Sequence, residues 1–345
     1  MLSVAAREVV AQAYSRLQQS RYGHALPPSL VSLNYHYFTT TKASSYLEVS
    51  RGVFERQLDA LLQKFSFVAA KPALEAAFHG ELKHDGPMAI ITIDDACTSL
   101  EIVRPLLEKF QIPVVLFAPI GLCLDREEVD GLRSRCLRLY QEVDRSHQRP
   151  SVPEDPAEFF QFVLAAEAGS LRLLEDKLYA LPRNPDAISK RKLYRAGDLK
   201  TLAKDPLISL SPHSMSHQAL ATLPPAWLEW EIRMSCKYIA DLGGDPELFA
   251  YPYGDPESVD GRCARVLRQM GSKFAFTTLC YRISSTCDPF LLGRSAVFNC
   301  PAPHYIWGTA LGALQGYDIL RHGKGLYETY ARVSSLSRGQ EPMCV

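Results

Sequence analysis

Two histidines, His213 and His217, stand four residues apart after a short apolar run, and two carboxylates, Asp94 and Asp95, follow another apolar run at 88–93. Neutral imidazole is the commonest side chain that binds a borderline divalent cation such as zinc. Two imidazoles and one carboxylate would leave a position open for water, which the cation acidifies. The second carboxylate could then act as a base. The two pairs together predict a metal-dependent hydrolase.

The backbone must bring these side chains to one place. We expect His213 and His217 to project to one side of a first helical turn. Neighbouring residues point to opposite faces of a strand, so Asp94 and Asp95 can face one site only where the chain turns out of the sheet, at Ala96. Taken singly, the histidines could be surface or capping residues, and the doublet could be a helix N-cap with a solvated neighbour. Their conjunction favours the metal site.

Apolar runs alternating with amphipathic segments predict the elements that position these residues. We expect strands at 30–37, 88–93, 113–119, 206–210, 249–251 and 274–278. We expect helices at 53–65, 102–110 and 225–242. This alternation predicts an α/β fold with a parallel sheet, in which functional residues gather at the carboxyl ends of the strands.

One region, residues 121–206, interrupts the alternation. It carries charged helical segments at 125–144 and 157–181, separated by Pro-rich turns. We interpret it as a helical insertion that forms a lid, walls a substrate groove or docks a partner. The alternative is a solvated helical hairpin that adds only stability.

Charge and cysteine content exclude several classes of protein. Lys plus Arg and Asp plus Glu number 38 each without a basic cluster, so the electrostatic footprint of nucleic-acid or anionic-membrane binding is missing. The nine scattered cysteines form no CxxC pair and indicate reduced thiols. No apolar run approaches the roughly 20 residues that span a bilayer, and the N-terminal segment lacks the apolar core and cleavage site of a signal peptide. We therefore expect a cytoplasmic protein.

Three ordered motifs resemble the first three motifs of the polysaccharide deacetylases, carbohydrate esterase family 4. They are TIDD at 92–95, HSMSH at 213–217 and FAYPYG at 249–254. The resemblance covers most of residues 30–300, apart from the insertion. It implies a distorted (β/α) barrel of the polysaccharide deacetylase type that carries a helical insertion.

The resemblance also implies a domain organisation. Residues 1–29 would be an N-terminal helical extension, residues 30–330 the deacetylase-like barrel domain with its insertion at 121–206, and residues 331–345 a C-terminal tail.

Each motif residue acquires a role through the resemblance. Asp95, His213 and His217 would hold a divalent metal, expected to be Zn²⁺ although other divalent ions fit, and Asp94 would be the general base for the attacking water. The metal and the backbone N–H of Tyr253 would stabilise the developing oxyanion. The substrate would be an N-acetylated carbohydrate, from which acetate is released.

Two histidines compete to be the acid that protonates the leaving amine. In a subgroup with this third motif, which includes biofilm poly-N-acetylglucosamine deacetylases, the strands are permuted and the acid comes from an N-terminal Tyr-His strand, which corresponds to His36. His322 resembles instead the C-terminal Leu-x-His motif of other members. We prefer His36 because it ends a strand and proton transfer needs a rigidly held group. His304 is a weaker third candidate.

Two residues depart from the family pattern. Ala96 replaces the glycine that usually follows the Asp doublet, and it fits only if that position keeps a negative φ. Ala250 replaces an arginine that often tethers the base, which leaves the tuning of Asp94 without its usual partner.

We therefore expect a metal-dependent hydrolase that removes an N-acetyl group from a carbohydrate, such as a glycan precursor or an amino-sugar conjugate. One alternative is an amide or ester hydrolase that acts on a non-polysaccharide substrate. Another is a non-catalytic barrel that serves as a binding or scaffold protein, as Ala96, Ala250 and the insertion suggest. The sequence predicts no nucleic-acid partner and no transmembrane segment, and it defines no oligomeric state.

Overall fold

The computed structural model of the protein describes residues 4–22, 29–82, 86–125, 127–143, 152–183 and 187–313. Within these ranges the strands are β1 (Leu30–Tyr35), β2 (Tyr37–Thr39), β3 (Glu48–Ser50), β4 (Ser66–Phe67), β5 (Met88–Ile93), β6 (Val114–Ala118), β7 (Ile208–Pro212), β8 (Leu248–Ala250), β9 (Phe274–Phe276) and β10 (Ser295–Ala296). The helices are α1 (Val4–Tyr22), α2 (Arg51–Leu62), α3 (Ala70–Phe78), α4 (Arg104–Phe110), α5 (Ile120–Cys123), α6 (Val129–Glu142), α7 (Pro156–Ala165), α8 (Ala168–Tyr179), α9 (Ala196–Leu202), α10 (Pro225–Asp241), α11 (Gly261–Gln269) and α12 (Pro303–Ala310). Short 3₁₀ turns lie at Thr98–Ile102, Ile188–Lys190 and Leu220–Thr222.

The strands pair in parallel around an apolar core. The main sheet has the order β10-β1-β5-β6-β7, β4 pairs with the start of β5, and β8 and β9 form a second parallel pair beside β7. Leu292 pairs in parallel with Phe276 of β9, and the chain then continues into β10, which closes the ring of strands. The predicted α/β fold with a parallel sheet is confirmed.

Burial of both faces explains why two central strands are uninterrupted apolar runs. Every residue of β5 and of β6 is buried. One face packs inside the barrel, where Phe117 of β6 meets Phe276 of β9 at a ring-centroid distance of 5.7 Å. The other face packs against the surrounding helices. A strand covered on both sides has no polar face, so its sequence shows no alternation.

The strand predicted at 30–37 is two strands, and the break falls at His36. β1 follows β5 in register as far as Tyr35, which pairs with Ile93. β2 begins at Tyr37 and pairs instead with β3, in a separate two-stranded sheet. His36 therefore lies where the chain changes from one sheet to the other.

Short elements account for most of the differences from the sequence-based prediction. The strands β3, β4 and β10 have only two or three residues, which is too few for a periodic pattern. The helices α3, α11 and α12 are also absent from that prediction. The helix predicted at 102–110 is a 3₁₀ turn followed by α4, because Pro105 fits only in the first turn of an α-helix.

The insertion is packed into the protein. The helix predicted at 157–181 is divided into α7 and α8. Helices α6, α7 and α8 share one apolar cluster with α10 and α11, in which Phe160 stacks on Trp227 at a ring-centroid distance of 5.2 Å. Near its end the insertion returns to the sheet, since Leu193 forms an antiparallel bridge with Cys97. The interpretation of the insertion as a solvated hairpin is therefore wrong.

The N-terminal helix also packs on the barrel. Helix α1 lies against α12 so closely that a Cβ added to Gly308 would be 1.9 Å from the carbonyl oxygen of Ala11. The predicted tail at 331–345 lies outside the described residues. Among the described residues, no helix combines the length and apolar character needed to cross a membrane.

Candidate metal centre

The Asp doublet lies where β5 ends and the chain turns out of the sheet. The N–H of Asp94 donates the last ladder hydrogen bond, to the carbonyl of Tyr35 at 3.0 Å. Asp95 and Ala96 then adopt left-handed φ values of 70° and 47°. This turn brings both carboxylates to one side of the sheet, as the sequence requires. The expectation that alanine fits at position 96 only with a negative φ is wrong. The conformation of Ala96 is held by a hydrogen bond from the N–H of Tyr194 to its carbonyl at 3.0 Å.

The two histidines lie on a loop at the end of β7. The N–H of His213 donates to the carbonyl of Ala118 at 2.9 Å, which anchors the start of the loop beside β6. Ser214 and His217 have φ values of 64° and 56°, so the chain cannot form a right-handed helical turn there. The expectation of a helical turn is wrong, and the two rings converge because the loop folds back on itself.

One buried glutamate holds this loop. The carboxylate of Glu231, on α10, accepts hydrogen bonds from the N–H groups of Met215 at 2.8 Å and Ser216 at 2.9 Å. The hydroxyl of Ser216 and the indole N–H of Trp227 donate to its other oxygen. Glu231 has no exposed surface. A buried carboxylate with four donors is fully satisfied, and it fixes the loop relative to α10.

Asp95, His213 and His217 come together as the sequence predicts. Each offers one ligand atom, and these three atoms lie within 4.8 Å of one another. The Oδ1 of Asp95 lies 3.1 Å from Nε2 of His217 and 3.7 Å from Nε2 of His213, yet it is buried and accepts no hydrogen bond within the described residues. A buried carboxylate oxygen without a donor, facing two imidazole nitrogens, fits a divalent cation.

The ring of His213 is held in the form that a metal requires. Its Nδ1 lies 2.7 Å from the carbonyl oxygen of Ala250, which can only accept, so Nδ1 carries the proton. The lone pair of Nε2 is then directed toward Asp95. Burial lowers the pKa of His213 to about 4, and the neighbouring carboxylates offset only part of this effect. The imidazole is therefore neutral at pH 7, as a ligand must be.

A tyrosine that the sequence did not identify orients the carboxylate of Asp95. The hydroxyl of Tyr37, on β2, donates to Oδ2 at 2.5 Å, which leaves Oδ1 for the metal. Burial raises the pKa of Tyr37, and the charge of Asp95 raises it further, so the phenol stays protonated. Burial alone would raise the pKa of Asp95 too, but the effect of His217, His36 and His213 is larger and lowers it.

An arginine replaces the tether that is missing at Ala250. Arg294 has no exposed surface, and its Nη1 donates to Oδ1 of Asp94 at 2.7 Å. Asn34 of β1 donates to the other oxygen, Oδ2, at 3.1 Å. The guanidinium is fixed in turn, because its Nε donates to the carbonyl of Thr277 at 2.9 Å. Burial alone would raise the pKa of Asp94, but Arg294, His213 and His36 together outweigh it and hold the pKa below its usual value.

The candidate acid His36 and the candidate ligand His213 face the same carboxylate oxygen of Asp94. Its Nε2 lies 3.9 Å from Oδ2 of Asp94, and Nε2 of His213 lies 3.9 Å from that oxygen as well. His304 lies elsewhere, on α12, where its ring packs on Trp307 and contacts Ser15 of α1. His322 lies outside the described residues.

Tyr253 lies partly exposed at the edge of the candidate metal site. It follows β8 in a turn with a φ of 63°, and 48% of its surface is exposed. Its ring centroid lies 5.1 Å from that of His217. Its hydroxyl accepts a hydrogen bond at 3.1 Å from Arg138, which belongs to α6 of the insertion.

A model of one protein family matches part of the chain. Residues 162–275 match the family model of the polysaccharide deacetylases, a segment that contains the two histidines and the third motif but lies downstream of the Asp doublet. No curated protein matches the sequence at a significant level.

Solved structures of deacetylases share the fold. A Streptococcus pyogenes deacetylase, PplD, determined with acetate, is similar at a TM-score of 0.56 and 15% identity, over 82% of this chain and 99% of that one. IcaB from Ammonifex degensii is similar at 0.53 and 19%, over 83% and 100%. A polysaccharide deacetylase from Bacillus cereus is similar at 0.52 and 14%, over 82% and 69%. The family resemblance and the distorted (β/α) barrel predicted from the sequence are confirmed.

Proposed function

Because the chain has the polysaccharide deacetylase fold and carries a match to that family's model, we propose that it is a metal-dependent hydrolase that removes an N-acetyl group from a carbohydrate. The observation that carries the proposal is the cluster of Asp95, His213 and His217 beside a second buried carboxylate, Asp94. A cation held by these three ligands would lower the pKa of a water molecule and polarise the acetyl carbonyl.

The residues around the cluster are placed for the proton transfers. Asp94 accepts the proton of the attacking water on Oδ2, the oxygen that faces His213 and His36. Arg294 and Asn34 hold the carboxylate in one orientation while this happens.

Release of the amine needs a proton donor and a stabilised oxyanion. The Nε2 of His36 lies 3.9 Å from Oδ2 of Asp94, and in its protonated form His36 gives its Nε2 proton to the leaving nitrogen as the C–N bond breaks. The backbone N–H of Tyr253 assists the negative charge on the former carbonyl oxygen. The products are acetate and a free amino sugar.

Acetate release from N-acetylated oligosaccharides, with and without metal, tests the proposal. We expect the purified protein to hold about one divalent ion per chain, to lose activity after chelation and to regain it when Zn²⁺ or another divalent ion returns. The His213→Ala variant should lose metal and activity together. A metal-free chain that releases no acetate would favour a binding or scaffold role, and activity confined to other amides or to esters would favour the alternative hydrolase.

The proposed base and acid are tested in the same assay. We expect Asp94→Asn and His36→Ala to lower kcat by about 10² to 10⁴-fold while metal stays bound. His304→Ala is the matched control, because its ring packs on α1 and not on the metal cluster. If His36→Ala behaves like His304→Ala, His36 is not the acid.

A further inference from the structure

The insertion contacts the candidate metal centre through a buried arginine, Arg138 of α6. Its Nη1 donates to the carbonyl oxygen of His217 at 2.6 Å and to the hydroxyl of Tyr253 at 3.1 Å. Its Nε donates to Oε1 of Glu142 at 2.6 Å. Only 9% of the residue is exposed. One guanidinium therefore connects the insertion with both the second and the third motif.

His217 depends on such support more than the other imidazole ligand. Nδ1 of His213 is fixed by the carbonyl of Ala250, whereas Nδ1 of His217 is buried and has no hydrogen-bond partner among the described residues. A ligand imidazole is normally oriented by a hydrogen bond to its other nitrogen. The orientation of His217 rests instead on its backbone, which has a left-handed φ of 56°, and on its contact with the ring of Tyr253.

Arg138 acts on both of these supports. Its bond to the His217 carbonyl holds the left-handed peptide, and its bond to the phenol holds the Tyr253 ring against the imidazole. Arg138 is itself anchored, because Glu142 also accepts from the hydroxyl of Ser189, at the other end of the insertion. Two segments of the insertion, α6 and the 3₁₀ turn that contains Ser189, thus hold the ion pair between Arg138 and Glu142 in place.

We propose that Arg138 is a positioning residue through which the helical insertion orients His217 toward the metal and Tyr253 toward the substrate. The part that concerns substrate rests on the proposed deacetylase function. The part that concerns metal affinity does not. The proposed metal site then depends on the insertion for the orientation of one of its ligands.

The Arg138→Met variant keeps the unbranched apolar stem of the side chain and removes its donors. Arg135→Met is a matched control on the same helix, because Arg135 also pairs its Nε with a glutamate, Glu175, and its Nη1 with a backbone carbonyl, that of Leu124. Metal-free proteins are titrated with Zn²⁺ by calorimetry or against a chromophoric chelator. We expect Arg138→Met to bind Zn²⁺ about 10 to 100-fold more weakly than the wild type. Arg135→Met should bind it normally, and Arg138→Lys should recover part of the loss.

Removal of Arg138 leaves Glu142 buried without its charged partner, which could unfold the insertion. The double variant Arg138→Met/Glu142→Gln removes that charge as well, and the thermal melting of each metal-free protein shows whether it is folded. A folded double variant with weakened Zn²⁺ binding supports the proposal. Wild-type Zn²⁺ affinity in any folded Arg138→Met protein overturns it.

Kinetics at saturating Zn²⁺ separate the two proposals. We expect Arg138→Met to raise KM for an N-acetylated oligosaccharide several-fold more than Arg135→Met does, because Tyr253 loses its fixed position at the edge of the candidate metal site. If the wild type binds Zn²⁺ but releases no acetate, the deacetylase function fails while the effect on metal affinity still tests Arg138. If the wild type is active and Arg138→Met matches it in Zn²⁺ affinity and KM, the positioning role fails alone.

Discussion

At the scale of single residues, the charge of the proposed base is set by a partner far away in the sequence. Burial raises the pKa of Asp94, and Arg294, which donates a hydrogen bond to it at 2.7 Å, lowers that pKa together with His213 and His36. The side chains of Asp94 and Arg294 are almost fully buried, so the pair is screened little by solvent. Loss of Arg294 would therefore raise the pKa of the proposed base.

Replacement of Arg294 should move the acidic limb of the pH–rate profile. The folded-state pKa of Asp94 is depressed, so loss of the guanidinium raises it, and the base is then protonated at pH values where the wild type is active. We expect Arg294→Lys to shift the acidic limb of kcat/KM upward, by about 1 to 3 pH units if the ammonium cannot reach the carboxylate. Steady-state rates measured between acid and neutral pH check this.

Arg265→Lys, on the exposed face of α11, is a control for that prediction. It should leave the profile unchanged. An Arg294→Lys protein that binds metal and keeps the wild-type acidic limb would show that Arg294 does not tune Asp94.

The sequence predicts the proposed ligands well and their partners poorly. Asp95, His213 and His217 lie in compact motifs at fixed spacing, so their residue types and order are enough to identify them. Tyr37 and Arg294 belong to no motif, and they meet the Asp doublet only in the folded chain, Tyr37 from β2 and Arg294 from the residue before β10. The signal for Arg294 was the missing arginine at the third motif, which indicates that a tether is needed but not where it lies in the chain.

At the scale of secondary-structure elements, helix α10 holds the loop at 213–217, which carries the two histidines of the candidate metal site. Glu231 accepts from Met215, Ser216 and Trp227, so it binds the loop between the two histidines to the helix. The loop cannot rely on regular structure for this, because two of its residues have left-handed φ values. An element outside the motif thus supplies the rigidity that the motif lacks.

The Glu231→Gln variant should loosen this loop. An amide offers one acceptor oxygen where the carboxylate offers two, and its NH₂ group faces donors. We expect a loss of about 2 kcal/mol or more in the free energy of unfolding, together with weaker metal binding. Urea denaturation of the metal-free protein and chelator competition measure the two effects.

Glu229→Gln, on the same helix, is the matched control. Glu229 pairs with Arg233 at the surface, and its side chain is 51% exposed. It should change the free energy of unfolding by less than about 0.5 kcal/mol. Equal effects of the two variants would mean that Glu231 does not brace the loop.

Local pattern predicts the central elements but not how they join. Strands β5 and β6 and helix α10 are long enough for their periodicity or burial to appear in the sequence. The break at His36 and the loop at 213–217 depend on which strand pairs with which, and on hydrogen bonds from distant residues. Tertiary pairing therefore overrides the local pattern at the positions where the site is built.

At the scale of the whole molecule, two additions surround the barrel. The insertion packs on α10 and α11 and contacts the candidate metal site through Arg138. Helix α1 packs on α12, which follows β10 and the segment that carries Arg294. The sequence predicts both additions as helical, but their packing surfaces appear only in the structure, because each depends on residues far away in the chain, such as His217 for Arg138 and His304 for Ser15.

The contact between α1 and α12 predicts a selective effect of one small substitution. A Cβ at Gly308 would lie 1.9 Å from the carbonyl oxygen of Ala11, which is backbone and can move only if α1 moves. We expect Gly308→Ala to displace α1, to lower the free energy of unfolding by about 1 to 3 kcal/mol and to speed tryptic cleavage at Arg7 and Arg16. Zn²⁺ affinity should stay at the wild-type value, because none of the contacts that the structure describes for α1 reaches a proposed ligand. Gly169→Ala in α8 is the control, since a Cβ there meets no atom within 4 Å and should leave the cleavage rate unchanged. Equal cleavage of the two variants, measured by limited proteolysis and mass spectrometry, would mean that α1 is not held by this contact.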